Sequence, residues 1–212
     1  MSPVSFVKIC GITRGEDAAA AIAAGANALG FIFWPKSPRC VDVERARTIV
    51  AAMPPEVTAV GVFVDQQAGD VNEIARLVNL GAVQLHGSES DEYVRAMTRP
   101  VIKAVSVHVG HAPDVARWPE NVTILLDVHD PVRKGGTGKT IDWTAAADVA
   151  RQRSILLAGG LTPENVSDAI ARVHPYGIDV SSGVESQPGI KDHSRITALF
   201  EAVHGGHYAA RP

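Results

Sequence analysis

The 212-residue chain has little cysteine, no excess of positive charge and no long hydrophobic run. Its only cysteines are Cys10 and Cys40, too few for a disulfide framework in a chain of this size, although a single bridge between them stays open. The formal net charge is −3, whereas nucleic-acid-binding domains carry a basic face, so nucleic acid is not an expected partner and any bound phosphate must be gripped locally. No apolar stretch approaches the roughly 18 residues of a membrane helix, and the N-terminus lacks the basic, apolar and cleavable sequence of a secretory signal. The expectation is a cytoplasmic protein with no membrane partner.

What is present is globular. Hydrophobic residues make up 46% and charged residues 20%, with 19 Gly and 13 Pro, a composition that excludes disorder and fits many short loops between packed elements. Eight short apolar runs recur: "VSFVKIC" (4–10), "NALGFIF" (27–33), "VTAVGVFV" (57–64), "AVQLHG" (82–87), "PVIKAVSV" (100–107), "VTILLD" (122–127), "SILLAGG" (154–160) and "GIDVSSG" (177–183). Several are nearly continuous, as parallel strands covered on both faces must be. Helical spacing occupies "GEDAAAAIAAG" (15–25), "DVERARTIVAAM" (42–53), "GDVNEIARLVNLG" (69–81) and "TPENVSDAIARV" (162–173), with Asp or Thr at several starts and Gly closing two of them. Alternation at this length predicts an α/β fold, a single (β/α)8 TIM barrel over residues 1–212, with a doubly wound open sheet as the alternative. The fifth unit is weak, because the prolines of "HVGHAPDVARWPEN" (108–121) leave room for only a short or irregular helix. Residues 205–212 read as a C-terminal tail.

A parallel barrel gathers the C-terminal ends of its strands into one ring. Here the ring comprises Cys10, the "WPKSPR" loop (34–39), Asp65, His86, Ser106, Asp127, Gly159 and Gly160, and Asp179 with "SSG" (181–183). "AGGLTPENV" turns on two glycines straight into a helix N-terminus and "DVSSGVE" is expected to do the same, converging amides and helix dipoles after strands seven and eight. This is where barrels bind phosphate, though ordinary βα turns use the same glycines. "GGTGKT" (135–140) is not a Walker loop, since the pattern requires glycine where Arg133 stands, and it reads as a lid over the mouth or a plain solvent loop.

Asp127 ends a very apolar run, where burial would raise its pKa and suit a general acid. Cys10, on the first strand, would face it across the mouth. A cysteine there is either a small core hydrophobe or a soft base. Arg39, behind two prolines, can pair bidentately with a carboxylate, and His86 is a rim histidine that helps shape the mouth. No metal-ligand spacing is visible among the eight histidines and two cysteines.

Taken in order, "VKICGIT", "GFIFWPKSPR", "VGVFVD", "VQLHG", "LLDV…GGTGKTIDW", "LLAGGLTPENV" and "GIDVSSGVESQPGIKD" resemble the successive strand-end signatures of the phosphoribosylanthranilate isomerase family of tryptophan biosynthesis, over almost the whole chain. The resemblance implies an Amadori rearrangement of N-(5-phosphoribosyl)anthranilate without any cofactor or metal. It implies Asp127 as the acid that opens the ring and Cys10 as the base at C2. Arg39 would take the anthranilate carboxylate; Gly159, Gly160, Ser182 and Gly183 would hold the phosphate; Asp179 would lie near the ribose hydroxyls. Family members occur as monomers or homodimers. Ile141 departs from a frequent Phe. Other readings are a different sugar-phosphate barrel or a barrel that only binds a phosphorylated ligand. Ribulose-phosphate epimerase would need metal-binding His and Asp at the strand ends, and indole-glycerol-phosphate synthase a pattern of barrel lysines with a glutamate, neither of which these strand ends match.

Overall fold

The computed structural model describes residues 4–107, 113–128 and 143–205. In chain order it contains β1 (Phe6–Cys10), α1 (Gly15–Ala24), β2 (Ala28–Ile32), α2 (Val43–Ala51), β3 (Thr58–Phe63), α3 (Ala68–Val78), β4 (Ala82–Leu85), α4 (Asp91–Arg95) and β5 (Val101–Val107). It continues with β6 (Thr123–Val128), α5 (Thr144–Ala150), β7 (Ile155–Ala158), α6 (Val166–Val173) and β8 (Gly177–Val180). A 3-10 turn (Ser182–Val184), a small hairpin of β9 (Glu185–Gln187) and β10 (Ile190–Lys191), and α7 (His193–Gly205) complete it. Strands β1 to β8 pair in order, all parallel, and β8 pairs back onto β1, closing an eight-stranded barrel. A closed sheet has no edge, which rules out the open doubly wound alternative.

Alternation along each strand sorts the side chains. One set, including Leu29, Phe31, Leu126 and Ile178, packs outward against the helices, while Ala28, Val60, Leu125 and Leu156 fill the barrel. Alanines at Ala28, Ala82, Ala104 and Ala158 alternate with larger Val60, Ile102, Leu125 and Leu156, which lets eight converging strands fill the space. Toward the C-terminal end polar groups replace apolar ones: Lys8 and Gln84 are at most 1% exposed.

The Asp42 carboxylate caps α2 by accepting from Arg45 N–H, and Gly25, at φ 106°, closes α1. Helix α3 ends differently from the expected glycine stop. Asn79 takes the left-handed position at φ 60°, and Gly81 belongs to the turn into β4, donating to the Ala59 carbonyl. The helix expected from Thr162 begins at Val166, because Asn165 first folds the segment into a turn, accepting from Thr162 N–H and donating to the Gly160 carbonyl. Residues 113–121 hold turns and no helix, as the prolines require. Helices α4, α5 and α7 fit the alternation of the barrel, although no segment was marked out for them in the sequence, and the β9–β10 hairpin was not expected. Helix α7 runs through Gly205, one residue into the expected tail. The "GGTGKT" segment, Ile141 and residues 206–212 lie outside the described residues. Among the described residues no helix is long and apolar enough to cross a membrane.

Candidate active site

A cavity of about 240 Å³ opens at the C-terminal ends of the strands. Its lining brings together the nine residues assigned a role from the sequence: Cys10, Arg39, His86, Asp127, Gly159, Gly160, Asp179, Ser182 and Gly183. Of the rest of the expected ring, Ser106 lines a neighbouring pocket beside Lys103 and Trp118, and Asp65 lines neither. It stands at φ 51° beneath the β4 loop, where its carboxylate accepts from Ser88 N–H at 2.6 Å.

Cys10 ends β1 as a buried free thiol, and Cys40 is free and exposed, so the two form no bridge. Burial pushes the Cys10 thiol up, the Lys8 ammonium opposes this, and the Asp179 carboxylate adds to it, for a net rise. Lys8 lies two residues earlier on the same strand face and pairs with Asp179 at 2.8 Å.

Across the mouth, Asp127 Oδ2 lies 3.2 Å from His86 Nε2, and Gln84 Nε2 meets His86 Nδ1 at 3.0 Å. If the glutamine amide donates, His86 keeps its proton on Nε2 and offers it to the aspartate. The burial expected of Asp127 is not found. Leu125 and Leu126 are fully buried, but the side chain of Asp127 is 27% exposed, because strand β6 delivers it to the open end of the barrel.

Arg39 is held in a two-pronged pair with Glu185, Nε to Oε1 at 2.8 Å and Nη2 to Oε2 at 2.7 Å. The buried Lys191 ammonium donates to the Cys10 carbonyl, the Ser181 carbonyl and Glu185 Oε1. Burial works against the Glu185 carboxylate, yet Arg39 and Lys191 hold its pKa below the usual range.

The glycine loops shape the remaining wall. Gly159 and Gly160 both have positive φ, 94° and 64°, and a Cβ on Gly183 would stand 1.8 Å from the Leu161 carbonyl oxygen. The two loops are therefore in backbone contact, and only glycine allows it. The second loop does not open into an α-helix as expected: it forms a single 3-10 turn, and the first reaches α6 only after the Asn165 turn. The cradle is thus built from turn backbone, with α6 set back behind it.

Sequence reasoning missed Lys8, Gln84, Glu185 and Lys191. For Lys8 a signal existed, since a lysine in "VKIC" two places before Cys10 must share its face. Lys191 and Glu185 arrive on a hairpin outside the βα repeat. Among the described residues no three His, Cys, Asp or Glu side chains are grouped so as to hold a metal ion.

The family model described as "N-(5'phosphoribosyl)anthranilate (PRA) isomerase" matches residues 7–202. The chain belongs to this family. It is 49% identical over 198 residues to an N-(5'-phosphoribosyl)anthranilate isomerase of Pseudomonas fluorescens, covering 92% of this chain and 97% of that protein. It is similar to the phosphoribosyl anthranilate isomerase structure from Thermotoga maritima, with a TM-score of 0.86, 44% identity and coverage of 94% and 98% of the two chains. A further structure of this isomerase, in complex with reduced 1-(o-carboxyphenylamino)-1-deoxyribulose 5-phosphate, matches with a TM-score of 0.84, 42% identity and the same coverage.

Proposed function

We propose that the mouth cavity converts N-(5'-phosphoribosyl)anthranilate into 1-(2-carboxyphenylamino)-1-deoxyribulose 5-phosphate, with Asp127 as acid and Cys10 as base. The chain is an isomerase of tryptophan biosynthesis. The observation that carries the assignment of roles is the lining of one cavity by an aspartate, a cysteine, an arginine and two glycine loops in backbone contact.

Asp127 gives a proton to the ring oxygen, the C1–O bond breaks, and the aldosylamine becomes an open-chain iminium. The Cys10 thiolate then takes the proton from C2. The electron pair of that C–H bond flows toward nitrogen, giving an enolamine that tautomerises to the ketone. The iminium is what makes the step feasible for a thiolate, because it acidifies the C2–H. Arg39, steadied by Glu185, meets the anthranilate carboxylate. Backbone groups of Gly159, Gly160, Ser182 and Gly183 hold the phosphate, and Asp179 faces the ribose hydroxyls. His86 orients the Asp127 carboxyl. The reading needs neither cofactor nor metal.

The same reading makes the chain one barrel domain and a cytoplasmic enzyme acting on a small phosphorylated molecule, with no nucleic-acid or membrane partner. It works as a monomer or homodimer, and a Thermotoga maritima relative is dimeric.

The test is to add protein to freshly generated substrate and follow the loss of its fluorescence. Cys10→Ala and Asp127→Asn should each lower kcat on the order of 10²–10⁴-fold, while Arg39→Ala should act mainly on KM. Near wild-type turnover by folded Cys10→Ala or Asp127→Asn would overturn the assignment.

A further inference from the structure

A fully buried lysine stands behind the reacting cysteine, and the mechanism above gives it no task. Lys8 is 0% exposed inside the barrel, and its ammonium carries three donors. One donates to Asp179 Oδ1 at 2.8 Å. A Cβ built on Gly30, the neighbouring residue of β2, would stand 2.7 Å from Cys10 Sγ and 3.0 Å from Lys8 Nζ, so the sulfur and the ammonium border the same small gap. Glycine at this position leaves the gap open for them to face each other.

We propose that Lys8 is a positioning residue for Cys10: its ammonium, anchored by Asp179, stabilises the Cys10 thiolate that removes the C2 proton. The proposal rests on the reading of Cys10 as the base. In the proton transfer the C2–H bond breaks, an S–H bond forms and the electron pair moves to the iminium, while Lys8 keeps its own proton throughout. Without a cation beside it, a thiolate on the buried end of β1 would have burial and the Asp179 carboxylate against it.

The other cations near Cys10 act in the same sense but less directly. Lys191, on β10, also favours the thiolate through its charge, more weakly than Lys8, but its three donors go to two carbonyl oxygens and to Glu185, so it offers the sulfur no hydrogen bond. Arg39 turns its guanidinium fork to Glu185. Asp179, on β8, acts in the opposite sense, and Asp127 and His86 pair with each other across the cavity. Gly30, on the neighbouring strand β2, has no side chain to contribute.

The experiment uses the full chain carrying Cys40→Ser, which removes the exposed thiol, and follows thiolate absorbance in the ultraviolet against pH, with Cys10→Ala/Cys40→Ser as blank. In Lys8→Met the thiolate should appear at higher pH, leaving about tenfold less thiolate at a given pH on the rising limb. The acid limb of kcat/KM should move with it, and activity should recover as pH is raised. Lys8→Arg should restore most of the wild-type curve.

Lys8→Met/Asp179→Asn leaves no unpaired charge in the barrel and gives the same upward direction in smaller measure, so it serves where the single variant does not fold. An unchanged thiolate curve in a folded variant lacking the Lys8 charge would overturn the proposal, even if activity falls. Full turnover by Cys10→Ala would instead remove the base assignment while the thiolate curve still reports on Lys8.

Discussion

The two halves of the barrel mouth use the same raw material in opposite ways. The loops after β7 and β8 lie across the closed barrel from those after β3 and β4, and both pairs present turn backbone at strand ends. On the β7–β8 side Gly159, Gly160, Ser182 and Gly183 line the cavity. On the β3–β4 side the backbone donors are spent internally. The Glu89 carboxylate, 1% exposed, accepts from Asp65 N–H and Gly87 N–H and from the Lys103 ammonium, while Asp65 accepts from Ser88 N–H. Under the proposed function, one half of the mouth offers its amides to a ligand, while the other already contains its anion. On the proposed reading this matches a substrate with one phosphate, since a second would find its place taken by Glu89.

The sharpest way to break the comparison is to remove that internal anion. Glu89→Ala leaves the Lys103 ammonium buried with two carbonyl oxygens and no countercharge, and strands the amides of Asp65 and Gly87. Loss of one partner of a buried pair costs about 3–5 kcal/mol, so the denaturant midpoint should fall steeply with an unchanged slope. A change within experimental error would mean that the β3–β4 half is not held by its own carboxylate.

A matched pair of glycine substitutions separates support from binding. Added methyl groups on Gly183 and Gly87 both collide, with the Leu161 carbonyl oxygen and with an Asp65 carboxylate oxygen respectively. Each should destabilise by about 1–3 kcal/mol through overpacking. Only Gly183→Ala should also raise KM, by about tenfold or about 1.4 kcal/mol, because on the proposed reading only that loop meets the phosphate. Steady-state kinetics on both variants decides this, and equal KM changes would dissolve the distinction between the halves.

The same contrast explains what could be read from the sequence. The eight strands were legible to within one to three residues because a parallel strand covered on both faces must be a short apolar run, and "SILLAGG" or "VTILLD" admits little else. The ring of candidate residues followed from topology alone. The glycines of β7 and β8 announced themselves, whereas Glu89 looked like an ordinary loop acid and Asp65 like a mouth residue of the ring, because their partners are backbone amides that no side-chain pattern records. Asp127 misled through its neighbours: the apolar run is buried, but its last residue is carried to the open end. Lys8 was absorbed into an apolar strand, and α4 and α7 gave too short or too indistinct an apolar period to stand out.

The smallest expected effect is a pH dependence confined to the closed half. Burial disfavours the Glu89 carboxylate, but Lys103 and the surrounding amides outweigh it and hold its pKa below the usual glutamate value. A carboxylate whose pKa is depressed on folding contributes stability that is complete above its unfolded pKa, about 4.3, and is lost as pH falls through the lower folded value. Glu89→Gln keeps the shape and lacks the titration, so its deficit relative to wild type should be full at pH 7 and should shrink below about pH 4. Thermal melts of the two proteins across pH 3–7 measure this. A deficit that stayed constant to pH 3 would mean that Glu89 ionises no more readily in the fold than in the unfolded chain, and that the deficit comes from an amide NH2 turned toward the donors of Lys103, Asp65 and Gly87.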